Sequence, residues 1–174
     1  GAGFSSGFLY FGHLTQNGNA AINLTLTGTA ALYFGNSSSI GGDVTAVTPS
    51  IYFNGATFNG AVTVTKNGSA NDPGSGGNTF NGITTINNTG SGYLLFANST
   101  ADTWNNDVYF NNSGSERILP AWNAAGNVFN GNITLSNTGT ALGIQFCSGA
   151  SATATLAATK AISIGAAGYN TGYL

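Results

Sequence analysis

The stretch Phe58-Asn59-Gly60-Ala61-Val62-Thr63-Val64-Thr65 returns as Phe80-Asn81-Gly82-Ile83-Thr84-Thr85-Ile86-Asn87 and as Trp104-Asn105-Asn106-Asp107-Val108-Tyr109-Phe110-Asn111. A fourth copy is Phe129-Asn130-Gly131-Asn132-Ile133-Thr134-Leu135-Ser136, so the aromatic residue recurs after 22, 24 and 25 residues. Self-similarity at a period of this length is the mark of a repeat architecture. Within the copies, Val62, Thr84, Val108 and Ile133 share one column, and Val64, Ile86, Phe110 and Leu135 share the column two residues on. Polar residues fill most of the places between them. Alternation with period two, rich in Val, Ile and Thr, describes a half-buried strand.

A second motif runs through the same period. Phe8-Leu9-Tyr10-Phe11, Ala31-Leu32-Tyr33-Phe34, Ser50-Ile51-Tyr52-Phe53, Tyr93-Leu94-Leu95-Phe96, Arg117-Ile118-Leu119-Pro120 and Gly143-Ile144-Gln145-Phe146 align as one recurring strand. Its inward columns are Leu9, Leu32, Ile51, Leu94, Ile118 and Ile144, then Phe11, Phe34, Phe53, Phe96, Pro120 and Phe146. The interval of 43 residues from Ile51 to Leu94 is close to two periods. The absent copy falls in 66–77, where Asn-Gly, Asp-Pro-Gly and Gly-Gly are turn chemistry, and an irregular loop is expected there. Asn-Gly corners, with Asn106 standing where Gly60, Gly82 and Gly131 stand, predict left-handed backbone between strands.

A repeat of roughly 19 to 26 residues with two short strands and no helical period cannot close a sheet alone and must stack on its neighbours. The expected fold is all-β: a parallel β-helix or β-solenoid of about seven rungs over residues 1–174, right-handed, with rungs about 4.8 Å apart. Stacking would place Asn59, Asn81, Asn105 and Asn130 over one another as an amide ladder. An antiparallel sandwich also has short strands and Gly-rich turns, but it does not require the same residue type at the same offset in every period. The final Thr171-Gly172-Tyr173-Leu174 restarts the phrase Ser91-Gly92-Tyr93-Leu94, so the segment reads as an excerpt of a longer chain.

Only three basic and five acidic residues occur among 174, for a net charge of −2. Nothing in that balance could neutralise a run of phosphates, so nucleic acid is not an expected partner. No apolar run approaches the roughly 20 residues of a spanning helix, so membrane insertion of this segment is not expected either. The single cysteine, Cys147, excludes an internal disulfide and reads as a small, partly buried thiol.

The phrases Asn78-Thr79-Phe80-Asn81-Gly82-Ile83-Thr84, Asn87-Asn88-Thr89-Gly90-Ser91-Gly92-Tyr93-Leu94-Leu95-Phe96 and Asn127-Val128-Phe129-Asn130-Gly131 resemble repeats in very large Bacteroidota cell-surface proteins. Members of that group look like type IX secretion substrates, gliding-motility adhesins among them. The resemblance implies an extracellular, surface-displayed, filamentous parent chain with a role in cell adhesion.

The chemistry points the same way. A catalytic site needs converging acid, base or nucleophile groups. His13 is the only histidine and reads as a solvated turn residue. Asp102 and Asp107 flank Trp104 and are the one pair that could hold calcium; no other cofactor or metal is expected. Trp104 falls in the column of Phe58, Phe80 and Phe129 and is expected in the core. The outward column Tyr10, Tyr33 and Tyr52 would form an aromatic strip, and Trp122 lies in the loop Ala121-Trp122-Asn123; together these are the candidate ligand residues. The expected function is structural or adhesive, a stalk or filament, and not enzymatic. Surface glycans, other cells or further copies of the chain are its expected partners. The alternatives are a carbohydrate-binding solenoid and a self-assembling fibre subunit.

Overall fold

The alternating Val/Ile/Thr runs become strands that stack in parallel. Ile22–Thr25, Val44–Thr48, Val62–Lys66, Thr84–Asn88, Val108–Asn112, Ile133–Asn137 and Ile162–Tyr169 form a seven-stranded sheet in chain order. Its register sets Ile22 on Val44, Val62, Thr84, Val108, Ile133 and Ile162 in turn. The protein is a β-solenoid of about 6 turns, roughly 23 residues each. The structure, a computed structural model, describes residues 3–140 and 142–172. Tyr173 and Leu174, on which the restarted phrase depends, lie outside that range.

Each turn crosses three sheets where the sequence suggested two strands. The aromatic of each Phe-Asn-Gly phrase sits in a short strand of its own, giving a second sheet of Ser39–Ile40, Thr57–Phe58, Thr79–Phe80, Thr103–Trp104, Asn127–Phe129 and Ala154–Leu156. The third face begins with Phe8–Gly12, Ala31–Gly35 and Ser50–Asn54, with Tyr10, Tyr33 and Tyr52 in register. It continues as Asp72–Pro73, Leu94–Leu95 and Ile118–Leu119, and a bridge joins Ile118 to Ile144.

The inward columns make the core. Leu32, Ile51, Leu94, Ile118, Ile144, Phe34 and Phe96 are fully buried and Phe53 nearly so, while Leu9, Phe11 and Phe146 in the outermost rungs are partly buried. Phe58, Phe80, Trp104 and Phe129 stack along the axis, with centroids 5.1, 4.1 and 5.8 Å apart and planes within 9° of parallel. Trp104 is therefore core, as its column required. Each such ring contributes about 1.5–3 kcal/mol on burial.

The expected irregular loop at 66–77 is a complete rung. Lys66 closes a strand, Asp72 and Pro73 pair in register with Leu94 and Leu95, and Gly76 bridges both Asn54 and Thr100. Its apolar signature is missing because Asp72 occupies the Leu column and Gly74 the Phe column. Without a side chain at Gly74, the rings of Phe53 and Phe96 reach across the rung and stack at 5.3 Å.

The corner glycines also have a different cause from the expected one. Gly60, Gly82, Gly90, Gly114, Gly131 and Gly139 are not left-handed. A Cβ on Gly82 would stand 2.3 Å from the Gly60 carbonyl oxygen, and one on Gly114 would stand 2.0 Å from that of Gly90. The close approach of neighbouring rungs demands glycine there. Left-handed backbone falls instead after the third face, at Ala97, Ala121 and Cys147.

Candidate functional site

The outer surface of the third face carries the candidate residues. Tyr33 stacks on Tyr52 with centroids 5.2 Å apart, and Tyr10 lies 5.0 Å from Tyr33 with its ring tilted by 57°. Tyr10 is 48 % exposed, and its hydroxyl accepts from the Asn36 amide. The strip expected from the sequence is present. Trp122 does not belong to it.

Beyond Tyr52 the same outward column holds Pro73, Leu95 and Leu119. These shorter side chains floor a trough of about 310 Å³. Tyr93 and Arg117 line it from the outward column two residues before, and Asn98 and Trp122 from the turn after the strand. Asn98 and Trp122 each follow a left-handed alanine, Ala97 with φ 56° and Ala121 with φ 55°. Leu95 and Leu119 face outward yet are only 5 % and 3 % exposed, because the residues lining the trough screen them. Tyr93 also adjoins the tyrosine strip: the Tyr52 hydroxyl is pushed above its ordinary pKa by burial first, then by Asp72, Tyr33 and Tyr93. Strip and trough form one face. A broader depression of about 680 Å³ crosses the corners at Thr89, Ser113 and Thr138 and is lined by hydroxyl residues, Asn67 and glycine.

The structure does not bring the acids together. Asp102 is fully buried in an inner column with Asn78 and Asn127. Its Oδ1 accepts from the Asn78 backbone N–H and side-chain amide at 2.8 Å, and its own N–H donates to Asn127 Oδ1 at 2.9 Å. Oδ2 has no hydrogen-bond partner. Burial pushes its pKa from 3.8 to about 7, against the opposing pull of N–H groups of Asn78, Ala97 and Gly77. Asp107 lies at an outer corner, where it accepts from the Asn132 N–H at 2.7 Å; Asp43 does the same for Ala61 at 2.8 Å. These two carboxylates cap the next rung. Among the described residues no three of His, Cys, Asp and Glu form a group able to hold a metal, and no helix is long and apolar enough to cross a membrane. His13 is exposed, and the partly buried Cys147 thiol is pushed up by burial.

Asp72 is the acid that sequence reasoning misplaced. It is fully buried, accepts from Ser50 Oγ at 2.8 Å and the Ile51 N–H at 2.9 Å, and lies 3.9 Å from Lys66 Nζ, itself fully buried. Burial raises Asp72 to about 6 against those hydrogen bonds and the Lys66 charge, and lowers Lys66. Lys66 Nζ also donates to the carbonyls of Gly68 and Gly92 at 2.9 and 3.2 Å. It belongs to a buried column, Thr48, Lys66, Asn88, Asn112 and Asn137, whose asparagine amides likewise donate to corner carbonyls.

The outer asparagine ladder stands as its spacing implied. The amides of Asn81, Asn105 and Asn130 donate to the side-chain oxygens of Asn59, Asn81 and Asn105 at 2.9, 2.7 and 2.8 Å. A second ladder, in which Asn87 donates to Thr65 and Asn111 to Asn87, was legible in the same alignment. No protein-family model, curated protein or solved structure matches the chain.

Proposed function

We propose that this chain is a structural and adhesive repeat region of an extracellular bacterial surface protein, a rod that holds a binding function away from the cell. The observation that carries the reading is the stacking itself. Rung lies on rung with side chain over like side chain, so length is added at constant cross-section, about 30 Å for six turns. A surface of amide and hydroxyl groups with very few charges suits solvation without electrostatic attraction to polyanions. The resemblance of its phrases to very large Bacteroidota surface repeats agrees with this role, and no catalytic step is assigned to it.

A second reading, carbohydrate binding by the rod itself, is favoured by the outer aromatic face, since three adjoining tyrosines form a row of amphipathic rings on the outside of the rod. Beads coated with the 174-residue chain separate the two. Adhesion of the beads to polysaccharide-coated surfaces, lost when Tyr10, Tyr33 and Tyr52 become Ser or when Trp122 becomes Ala in a folded variant, supports binding by the rod. Bare spacing behaviour supports the stalk. Hydrolysis or elimination of any polysaccharide by the chain would refute both.

A further inference from the structure

We infer that the trough between Tyr93, Arg117 and Trp122 binds a neutral, extended polysaccharide, one or two sugar units lying across Pro73, Leu95 and Leu119. This rests on the carbohydrate-binding reading above and gives it a location that the tyrosine strip alone does not.

A pyranose offers apolar C–H faces and a rim of hydroxyls. The trough answers both. Its floor is apolar, Tyr93 and Trp122 supply aromatic surface, and the Asn98 amide, the Arg117 guanidinium, the Tyr93 hydroxyl and the Trp122 indole N–H can meet hydroxyl groups. About 310 Å³ is at the small end of ligand sites, enough for one or two sugars and too little for a folded partner. Charge selects among glycans. Arg117 Nε pairs with Glu116 Oε2 at 3.4 Å, so the only guanidinium in the chain is neutralised and gives little preference for a uronate or sulfate. Rungs about 4.8 Å apart also advance by nearly the length that one sugar adds to an extended chain, so a glycan running along the axis passes from Leu119, flanked by Arg117 and Trp122, to Leu95, flanked by Tyr93 and Asn98, and continues towards Tyr52.

The test uses Trp104→Phe, in which Trp122 is the sole tryptophan and residue 104 matches Phe80 and Phe129 in its column. This protein is titrated with hexasaccharides of cellulose, xylan, mannan and laminarin, and with oligogalacturonate, following Trp122 fluorescence and, in parallel, heat of binding. The expected result is a saturable fluorescence change with at least one neutral hexasaccharide, weakened at least tenfold by Tyr93→Ser and less than twofold by Tyr10→Ser. Trp122→Ala in the otherwise native chain, read by calorimetry, should lose binding equally, and unchanged thermal midpoints certify that the variants fold. Neutral-sugar binding that leaves Trp122 silent and is lost in Tyr33→Ser overturns the trough while keeping the carbohydrate reading. Binding confined to oligogalacturonate overturns the choice of a neutral ligand. Absence of heat with every oligosaccharide overturns trough and carbohydrate reading together.

Discussion

Replacing Asp102 by Asn should make the solenoid more stable at neutral and alkaline pH. The carboxyl is fully buried between Asn78 and Asn127, with Oδ2 unpartnered. Its pKa rises from 3.8 to about 7 on folding. Between those values the folded state holds a proton that the unfolded chain has released, so stability falls as pH rises through this window. Above both values the cost is about 4 kcal/mol, at 1.36 kcal/mol for each pH unit. Asn keeps the acceptor that Asn78 uses and carries no charge to bury, as Asn127 already does at the same place in the next rung. Urea unfolding of both proteins at pH 4 and pH 8 measures the difference. The variant should gain about 2–4 kcal/mol at pH 8 and almost nothing at pH 4. The residual slope of the variant between about pH 4 and 6 belongs to Asp72. Equal differences at the two pH values, or a variant less stable at pH 8, would refute the argument that Asp102 is held against its charge.

Three further substitutions probe the stacking. Gly114→Ala forces a Cβ to within 2.0 Å of the Gly90 carbonyl oxygen, and the backbone shift should cost about 3 kcal/mol or more in urea unfolding; a loss below about 0.5 kcal/mol would mean the corners open freely. Lys66→Met leaves Asp72 buried without its cation and should destabilise by about 3–5 kcal/mol, whereas Lys66→Met with Asp72→Leu, restoring the column of Ile51 and Leu94, should recover at least half of that. Failure of the double variant to recover would place the loss in the corner carbonyls instead. Asn105→Ala removes two ladder bonds, to Asn81 and from Asn130, for about 1–2 kcal/mol by thermal unfolding; no change would leave the ladder without a stabilising role.

The parallel coil, its register from Phe58 to Ser136 and the outer asparagine ladder were legible because side-chain alternation and the period agree in every copy. The rung at 66–77 was not, since Asp72 and Gly74 replace the apolar residues by which a strand is recognised; Lys66, six residues before Asp72 and folded back beside it, makes the buried acid tolerable. The second sheet was hidden because only a three-residue corner separates Phe80 from the run beginning at Thr84. For the binding face, the sequence showed Tyr10, Tyr33 and Tyr52 through their shared column. It could not show that Trp122 meets Tyr93 across a trough, because that depends on the left-handed turn at Ala121, a residue with no intrinsic preference for it. The inner column Asn78, Asp102 and Asn127 could have been found: each stands two residues before an aromatic of the second sheet.

The measurement that bears most directly on the proposed role is labelling of intact, unfixed cells that make the protein, with antibody raised against the folded 174-residue rod. A surface-displayed rod predicts labelling outside the envelope without permeabilisation, removed by external protease. Labelling that appears only after the cells are opened would contradict it.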